Sequence, residues 1–132
     1  GWTPASPPLR VTEVLGTRVV SLNGLPAIEA FEAHAAASGH SIDKAAPLSH
    51  FLHNILGIET GVGYQLRVPL AVNDDGSVTC AAEIPAGARV HIMKATSESA
   101  ITAASRATRA AVEALRGTPP AAALFFDSVA TR

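Results

Sequence analysis

The sequence predicts an α+β domain with a mixed, mostly antiparallel sheet, two or three helices packed on it, and one βαβ-like crossover at the C-terminal end. Residues 64–72 and 77–84 alternate apolar and polar side chains, as the two strands of a hairpin do. Residues 26–38 and 101–116 carry apolar side chains at helical spacing. The run 121–128 is apolar on both alternate faces, which is typical of an interior strand. A third strand is predicted at 88–95, and this strand, the helix and the strand at 121–128 in that order favour a right-handed parallel crossover.

The composition limits the classes of partner. The chain has 132 residues, 48% hydrophobic and 16% charged, which predicts one globular domain with a core. Ten basic and eleven acidic residues leave a formal charge of -1 without a basic cluster, so we expect no nucleic-acid partner. No apolar run approaches the roughly 20 residues that span a bilayer, so we expect no membrane partner. The single cysteine, Cys80, cannot form an internal disulfide, which favours a cytoplasmic location.

The N-terminal third predicts strands followed by a helix. Residues 10–22 are rich in β-branched side chains and indicate two short strands around a turn at Gly16. Pro26 suits the first turn of a helix that Gly39 ends, and the inward face of this helix consists of Ile28, Phe31 and Ala35. Residues 48–58 have helical spacing but are short, so a helix and an irregular strand both remain possible there.

The central hairpin has a predicted register. A three-residue loop at 74–76, with its glycine in the left-handed conformation, puts the apolar positions of both strands on one face. Leu70 then lies opposite Cys80, and Arg67 lies opposite Glu83 on the other face. In this register Cys80 is a buried small hydrophobe rather than a nucleophile.

The C-terminal end of the last predicted strand carries candidate ligand-binding residues. Asp127, Ser128 and Arg132 follow the apolar run directly. Sheets that contain parallel strands place ligands just beyond the carboxyl ends of those strands, so these side chains are pocket candidates. The alternative is an ordinary strand end, in which Asp127 caps a turn and Arg132 is solvated.

Arg67 is the other ligand-binding candidate. It stands alone among small and apolar neighbours, and its planar guanidinium is a natural partner for a ligand carboxylate. A cross-strand pair with Glu83 is the equally favoured alternative, and it needs no ligand.

No catalytic, metal or cofactor site is expected. His50 and His53 are three residues apart, but a zinc site needs three or four ligands and the sequence indicates no third one, which favours surface histidines. Ser128 has no Gly-x-Ser-x-Gly setting, and the glycines form no phosphate-binding loop. The residues alone therefore indicate no reaction, and we expect the protein not to be an enzyme.

Five sequence segments resemble the FIST domain family, the sensory domains found with F-box and intracellular signal transduction proteins. In order along the chain these segments are GW, VT followed by LNGLPAIEAF, YQLRVPLAVNDDGSV, IPAGARVHIMKA and AAALFFDSVATR. The resemblance implies that residues 1–25 are the end of the N-terminal FIST portion or linker strands. Residues 26–132 would be the C-terminal portion, truncated at its C-terminal end. The start at Gly1 and the end directly after a strand pattern favour the same expectation of a segment cut from a longer protein.

The resemblance also implies a function. Members of the family are cytoplasmic sensory modules proposed to bind small ligands such as amino acids or related small carboxylates and to act on a signalling protein. The family's ligand-facing positions fall on Arg67, Asp127, Ser128 and Arg132, and the family often has cysteine where this chain has Ser128. Implied partners are a small-molecule ligand, the N-terminal FIST portion of the same chain and a signalling protein. The alternative is a structural half-domain that packs on the N-terminal portion without contacting ligand.

Overall fold

The structure, a computed structural model, describes residues 1–124 and residue 126. It consists of two compact units. The sheet unit is Pro4–Lys94, and the helical unit combines Gly1–Thr3 with the described residues from Ala95 onward.

Nine strands and three helices make up the described chain. The strands are Trp2–Pro4 (β1), Leu9–Leu15 (β2), Arg18–Leu22 (β3), Leu25–Pro26 (β4), Ile55–Thr60 (β5), Gly63–Arg67 (β6), Pro69–Val72 (β7), Val78–Cys80 (β8) and Arg89–Ala95 (β9). The helices are Ala27–Ala37 (α1), Leu48–Phe51 (α2) and Ser97–Ala114 (α3). In the described residues, none of these helices has both the length and the apolar character needed to cross a membrane. The α+β prediction is confirmed.

The sheet unit is built on one continuous antiparallel strand order. This order is β6-β5-β9-β2-β3-β8-β7, every pairing along it is antiparallel, and β4 pairs with β3 beside it. Only Val68 separates β6 from β7, so the two ends of the order are halves of one extended segment. In β2, Leu9 and Arg10 pair with β9, whereas Val11–Leu15 pair with β3. The β6–β7 segment thus contributes a strand to each end of the order, and β2 pairs with a different strand along each of its two parts. Because of these two features, the sheet curls around its core.

Helix α1 covers that core with the predicted face. It starts directly after Pro26, and the predicted inward residues Ile28, Phe31 and Ala35 are all buried. Phe31 meets Phe51 of α2 edge to face, with ring centroids 5.1 Å apart. Ile28, Phe31 and Phe51 belong to the core cluster, which also contains Val11, Val19, Leu22, Val78, Cys80, Ile84, Val90 and Ile92.

Residues 48–58, which the sequence leaves open, contain both structures in succession. The single turn of α2 follows Pro47 and ends at Phe51, and β5 starts at Ile55. Between them, Asn54 Nδ2 donates a 2.9 Å hydrogen bond to the carbonyl oxygen of His50, so the chain leaves the helix there. The apolar residues of this short segment therefore belong first to a helix and then to a strand.

The hairpin register is correct near the turn and wrong beyond it. Gly76 is left-handed with φ +80°, and Val72 pairs with Val78 as predicted. A β-bulge at Leu70 then places Pro69, rather than Leu70, opposite Cys80. Proline has no N–H to donate to the ladder and is accommodated at bulges, so Pro69 turns inward while Leu70 is 44% exposed.

The helical unit begins with a well-capped helix. Thr96 Oγ1 accepts a 3.0 Å hydrogen bond from the Ser99 amide, and Ser99 Oγ accepts one of 2.9 Å from the Thr96 amide, which is a reciprocal capping box. The helix has no buried residue.

The interior strand predicted at 121–128 is wrong over its described first half. Residues 118–124 contain no strand, and Leu124 is 87% exposed. An apolar segment forms an interior strand only where other elements pack on both of its faces. Helix α3 has no buried residue, so it does not provide such a covering layer. Residues 125 and 127–132, on which the rest of the strand and the crossover depend, lie outside the described residues.

Candidate functional site

A cleft in the sheet unit is lined by four of the five histidines. Its volume is about 390 Å³, which is within the range of small-molecule sites. We call it the histidine cleft, and its lining residues are His34, Ala35, Ser38, His40, Ser41, Ser49, His50, His53, Asn54 and Lys94. The walls thus come from α1 and the loop after it, from α2 and its following turn, and from β9.

Local sequence features bring these walls together. Gly39 adopts a left-handed conformation with φ +74°, and the His40 amide donates a 2.9 Å hydrogen bond to the Ala35 carbonyl. This closure of the helix end turns the chain sharply, as glycine after a helix commonly does, and places His40 beside the last turn of α1. The contact between Phe31 and Phe51 beneath the cleft packs α1 and α2 together.

The two histidines on the helices have lowered pKa values. Burial is the main cause for His34, the charge of Lys94 adds to it, and the side chain of Asn54 acts in the opposite direction. Burial is also the main cause for His50, and His34, Lys94, His40 and His53 add to it. Both imidazoles are therefore predominantly neutral at neutral pH.

The cleft wall holds unused hydrogen-bonding capacity. Nε2 of His34, Nε2 of His50 and Oδ1 of Asn54 are shielded from water and have no hydrogen-bond partner of ordinary geometry. Asn54 is only 6% exposed. A buried polar atom without a partner costs about 1–3 kcal/mol, so a ligand or rearrangement that satisfies these atoms is favoured. Among the described residues, no group of three or more His, Cys, Asp or Glu side chains is placed to hold a metal ion.

Arg67 lies in a different depression, which we call the Arg67 depression. Its lining residues are Gly16, Arg67, Glu83, Ile84 and Pro85. Arg67 Nε donates a 2.7 Å hydrogen bond to the carbonyl oxygen of Glu83, and Nη1 donates one of 2.9 Å to that of Leu66. Arg67 thus does contact Glu83, as one alternative predicted, but through the backbone and not through the carboxylate.

Cys80 has no chemical role in either hollow. It is 2% exposed, and burial raises the pKa of its thiol to about 11 although the nearby Arg67 charge acts to lower it. The thiol is therefore protonated and inaccessible, as the hairpin pattern predicts.

Of the four predicted ligand-binding residues, Arg67 is the one that lies in the described part of the chain. Asp127, Ser128 and Arg132 lie outside the described residues and stay predictions. The histidine cleft was missed by sequence reasoning, which considered only His50 and His53 and expected surface positions. Four histidines within residues 34–53 are a visible hint, but Lys94 joins them only through tertiary packing.

Comparison with known proteins gives one match. The family model for the FIST C domain matches residues 27–132. No curated protein and no solved structure matches the chain. The matched region contains both hollows apart from Gly16, whereas β2 and β3, in the middle of the strand order, precede it. Since the match extends over most of the sequence, the chain belongs to the FIST C domain family, a family of signal-transduction sensory domains.

Proposed function

We propose that this chain is a non-catalytic sensory domain that binds a small molecule, such as an amino acid or a related small carboxylate, in the histidine cleft. The observation that carries the proposal is the unsatisfied polar wall of the cleft, formed by His34, His50 and Asn54. Because these atoms are shielded from water, rotation of the wall side chains is needed to turn them to the cleft, and a small polar ligand then gains hydrogen bonds that offset the cost of leaving the atoms unpaired. Family membership supports the sensory role, with a signalling protein as the downstream partner. The single, buried cysteine is compatible with a cytoplasmic setting.

The test combines a ligand screen with variants that block each hollow. Thermal-shift screening of the full-length protein against amino acids and small carboxylates identifies a ligand, and titration calorimetry measures its affinity. Ser49 lines the cleft and is exposed, so Ser49→Trp should fill the cleft and remove binding, whereas Ser49→Ala should keep it. Arg67→Gln should also keep it, because the Arg67 guanidinium already serves two carbonyl oxygens.

Other outcomes reassign the site or remove the function. Binding that survives Ser49→Trp but is lost in Arg67→Gln or Arg132→Gln would move the site to the Arg67 depression or to the predicted site at Asp127, Ser128 and Arg132. A screen in which no compound of these classes binds would overturn the proposal.

One observation favours a second function, that of a structural half-domain packed on the N-terminal FIST portion. Ile101 and Val112 belong to the apolar stripe of α3, yet they are 67% and 53% exposed. If that portion covers the stripe, Ile101→Gln should lower the melting temperature of the full-length protein, whereas Arg106→Gln on the charged face should not. Equal melting temperatures for the two variants would remove this candidate.

A further inference from the structure

We propose that the histidine cleft binds the carboxylate of its ligand together with protons, which His34 and His50 take up from solvent as the anion enters. This inference rests on the proposed function, because it takes the cleft as the ligand site. It adds which group of the ligand the cleft holds, the carboxylate, and a regulator of binding, the pH of the compartment.

The titratable groups among the described lining residues of the cleft can carry only positive charge. The titratable groups that face it are His34 from α1, His40 from the following loop, His50 from α2, His53 from the next turn and Lys94 from β9. None of the described lining residues is acidic. A carboxylate in the cleft therefore meets groups that are, or can become, cations on several sides, and no acidic side chain among the described lining residues.

Without an anion, these groups disfavour one another's protonation. His34 and Lys94 both contribute to keeping the pKa of His50 below its ordinary value, in addition to burial. An anion at the centre of the cluster reverses the electrostatic part of this effect, because an opposite charge within a few ångströms favours the charged form of an imidazole. Anion binding and proton binding are thus linked, and each promotes the other.

Protonation also gives the cleft wall a second donor. A neutral imidazole donates from one nitrogen only, whereas an imidazolium donates from both. Neutral His34 already has one N–H, which Nε2 can donate to the neighbouring Asn54 Oδ1 after a small side-chain rotation, and Nδ1 is then only an acceptor. Protonation turns Nδ1 into a second donor, so the site gains an N–H for a carboxylate oxygen while the contact with Asn54 is kept.

The test uses acetate as the probe and the chain's own histidines as reporters. Imidazole carbon-bound protons of the full-length protein are titrated with pH by NMR, without and with saturating acetate, and acetamide is the neutral probe of the same size. We expect acetate to raise the pKa values of His34 and His50 and acetamide to leave them unchanged. The control is His91, the one histidine outside the cleft, whose ring lies between the Ser6 carbonyl and Tyr64. Its signals should not respond to acetate.

Affinity gives a second readout. If one proton is taken up per acetate, the affinity for acetate should fall up to about tenfold for each pH unit above the pKa that the titrating histidine has in the protein without acetate. His34→Gln and His50→Gln should each flatten that dependence. Acetate binding with unchanged histidine pKa values would overturn this inference and leave the proposed function standing. Failure of acetate, acetamide and every screened amino acid to bind would overturn both.

Discussion

The histidine cleft and the Arg67 depression are both polar hollows of the sheet unit, but their polar groups are used differently. In the depression, Arg67 Nε and Nη1 donate hydrogen bonds of 2.7 and 2.9 Å to backbone carbonyl oxygens. In the cleft, two imidazole nitrogens and one amide oxygen have no partner. The comparison teaches that the donors of a charged side chain in a strand can be hydrogen-bonded to backbone carbonyls. The polar atoms of the cleft without a partner lie instead where two helices meet the sheet.

The largest expected effect comes from the packing beneath the cleft. Phe31 and Phe51 are both 0% exposed and hold α1 against α2. Phe31→Ala should lower the free energy of unfolding by about 3–5 kcal/mol, because it removes a buried ring and leaves a cavity. Phe31→Leu keeps most of the apolar volume and should cost less. Urea unfolding measures both, and a loss below about 1 kcal/mol for Phe31→Ala would mean that this contact does not organise the cleft.

Two left-handed glycines test how tightly two turns of the sheet unit are packed. Gly76 and Gly87 have φ +80° and φ +77°, so alanine is strained at either position. A Cβ on Gly76 would lie 2.9 Å from Pro26 Cβ, at the entry to α1, whereas a Cβ on Gly87, near the Arg67 depression, meets nothing within 4 Å. We expect Gly87→Ala to cost about 1 kcal/mol and Gly76→Ala about 2–3 kcal/mol.

Thermal and urea unfolding of the two glycine variants check this difference. Equal losses would show that backbone strain alone sets the cost. In that case the hairpin turn does not press on the start of α1, although the Ile28 amide donates a 2.9 Å hydrogen bond to the Gly76 carbonyl.

Arg67 should affect stability and not binding. Arg67→Gln removes two hydrogen bonds from a partly buried guanidinium and should lower the free energy of unfolding by about 1–2 kcal/mol. Arg67→Lys keeps the charge but not the fork of donors, so it should recover little of the loss. Full recovery with lysine would show that the charge matters instead, and a loss of ligand affinity in Arg67→Gln would return Arg67 to the binding site.

The sequence predicts elements better than it predicts the site. Strands β2, β3 and β9 and helix α1 follow from alternation, turns and helical spacing, which are local properties. The predicted hairpin register is wrong at Pro69, where the structure has a bulge. The bulge follows from the missing N–H of one residue, which the alternation of apolar and polar residues does not reveal. The cleft depends on α1, α2 and β9 meeting in space, so no single segment carries its pattern.

The smallest predicted effect is a pH dependence of stability that separates the cleft from the rest of the sheet unit. Burial lowers the pKa values of His34 and His50 from the ordinary value of 6.5, so below pH 6.5 the unfolded chain binds more protons than the folded one. Stability should therefore fall as pH drops from 6.5 through the lowered pKa values.

Asp75 provides the control. Its pKa is below its ordinary 3.8, mainly because Ser77 donates hydrogen bonds to its carboxylate, so its contribution to stability is lost only in more acidic solution. Urea midpoints of the parent protein should decline between about pH 7 and pH 5. The decline should be smaller in His34→Gln and in His50→Gln, and in Asp75→Asn it should have the same slope as in the parent. A flat parent profile over this interval would contradict the burial of the cleft imidazoles as neutral groups.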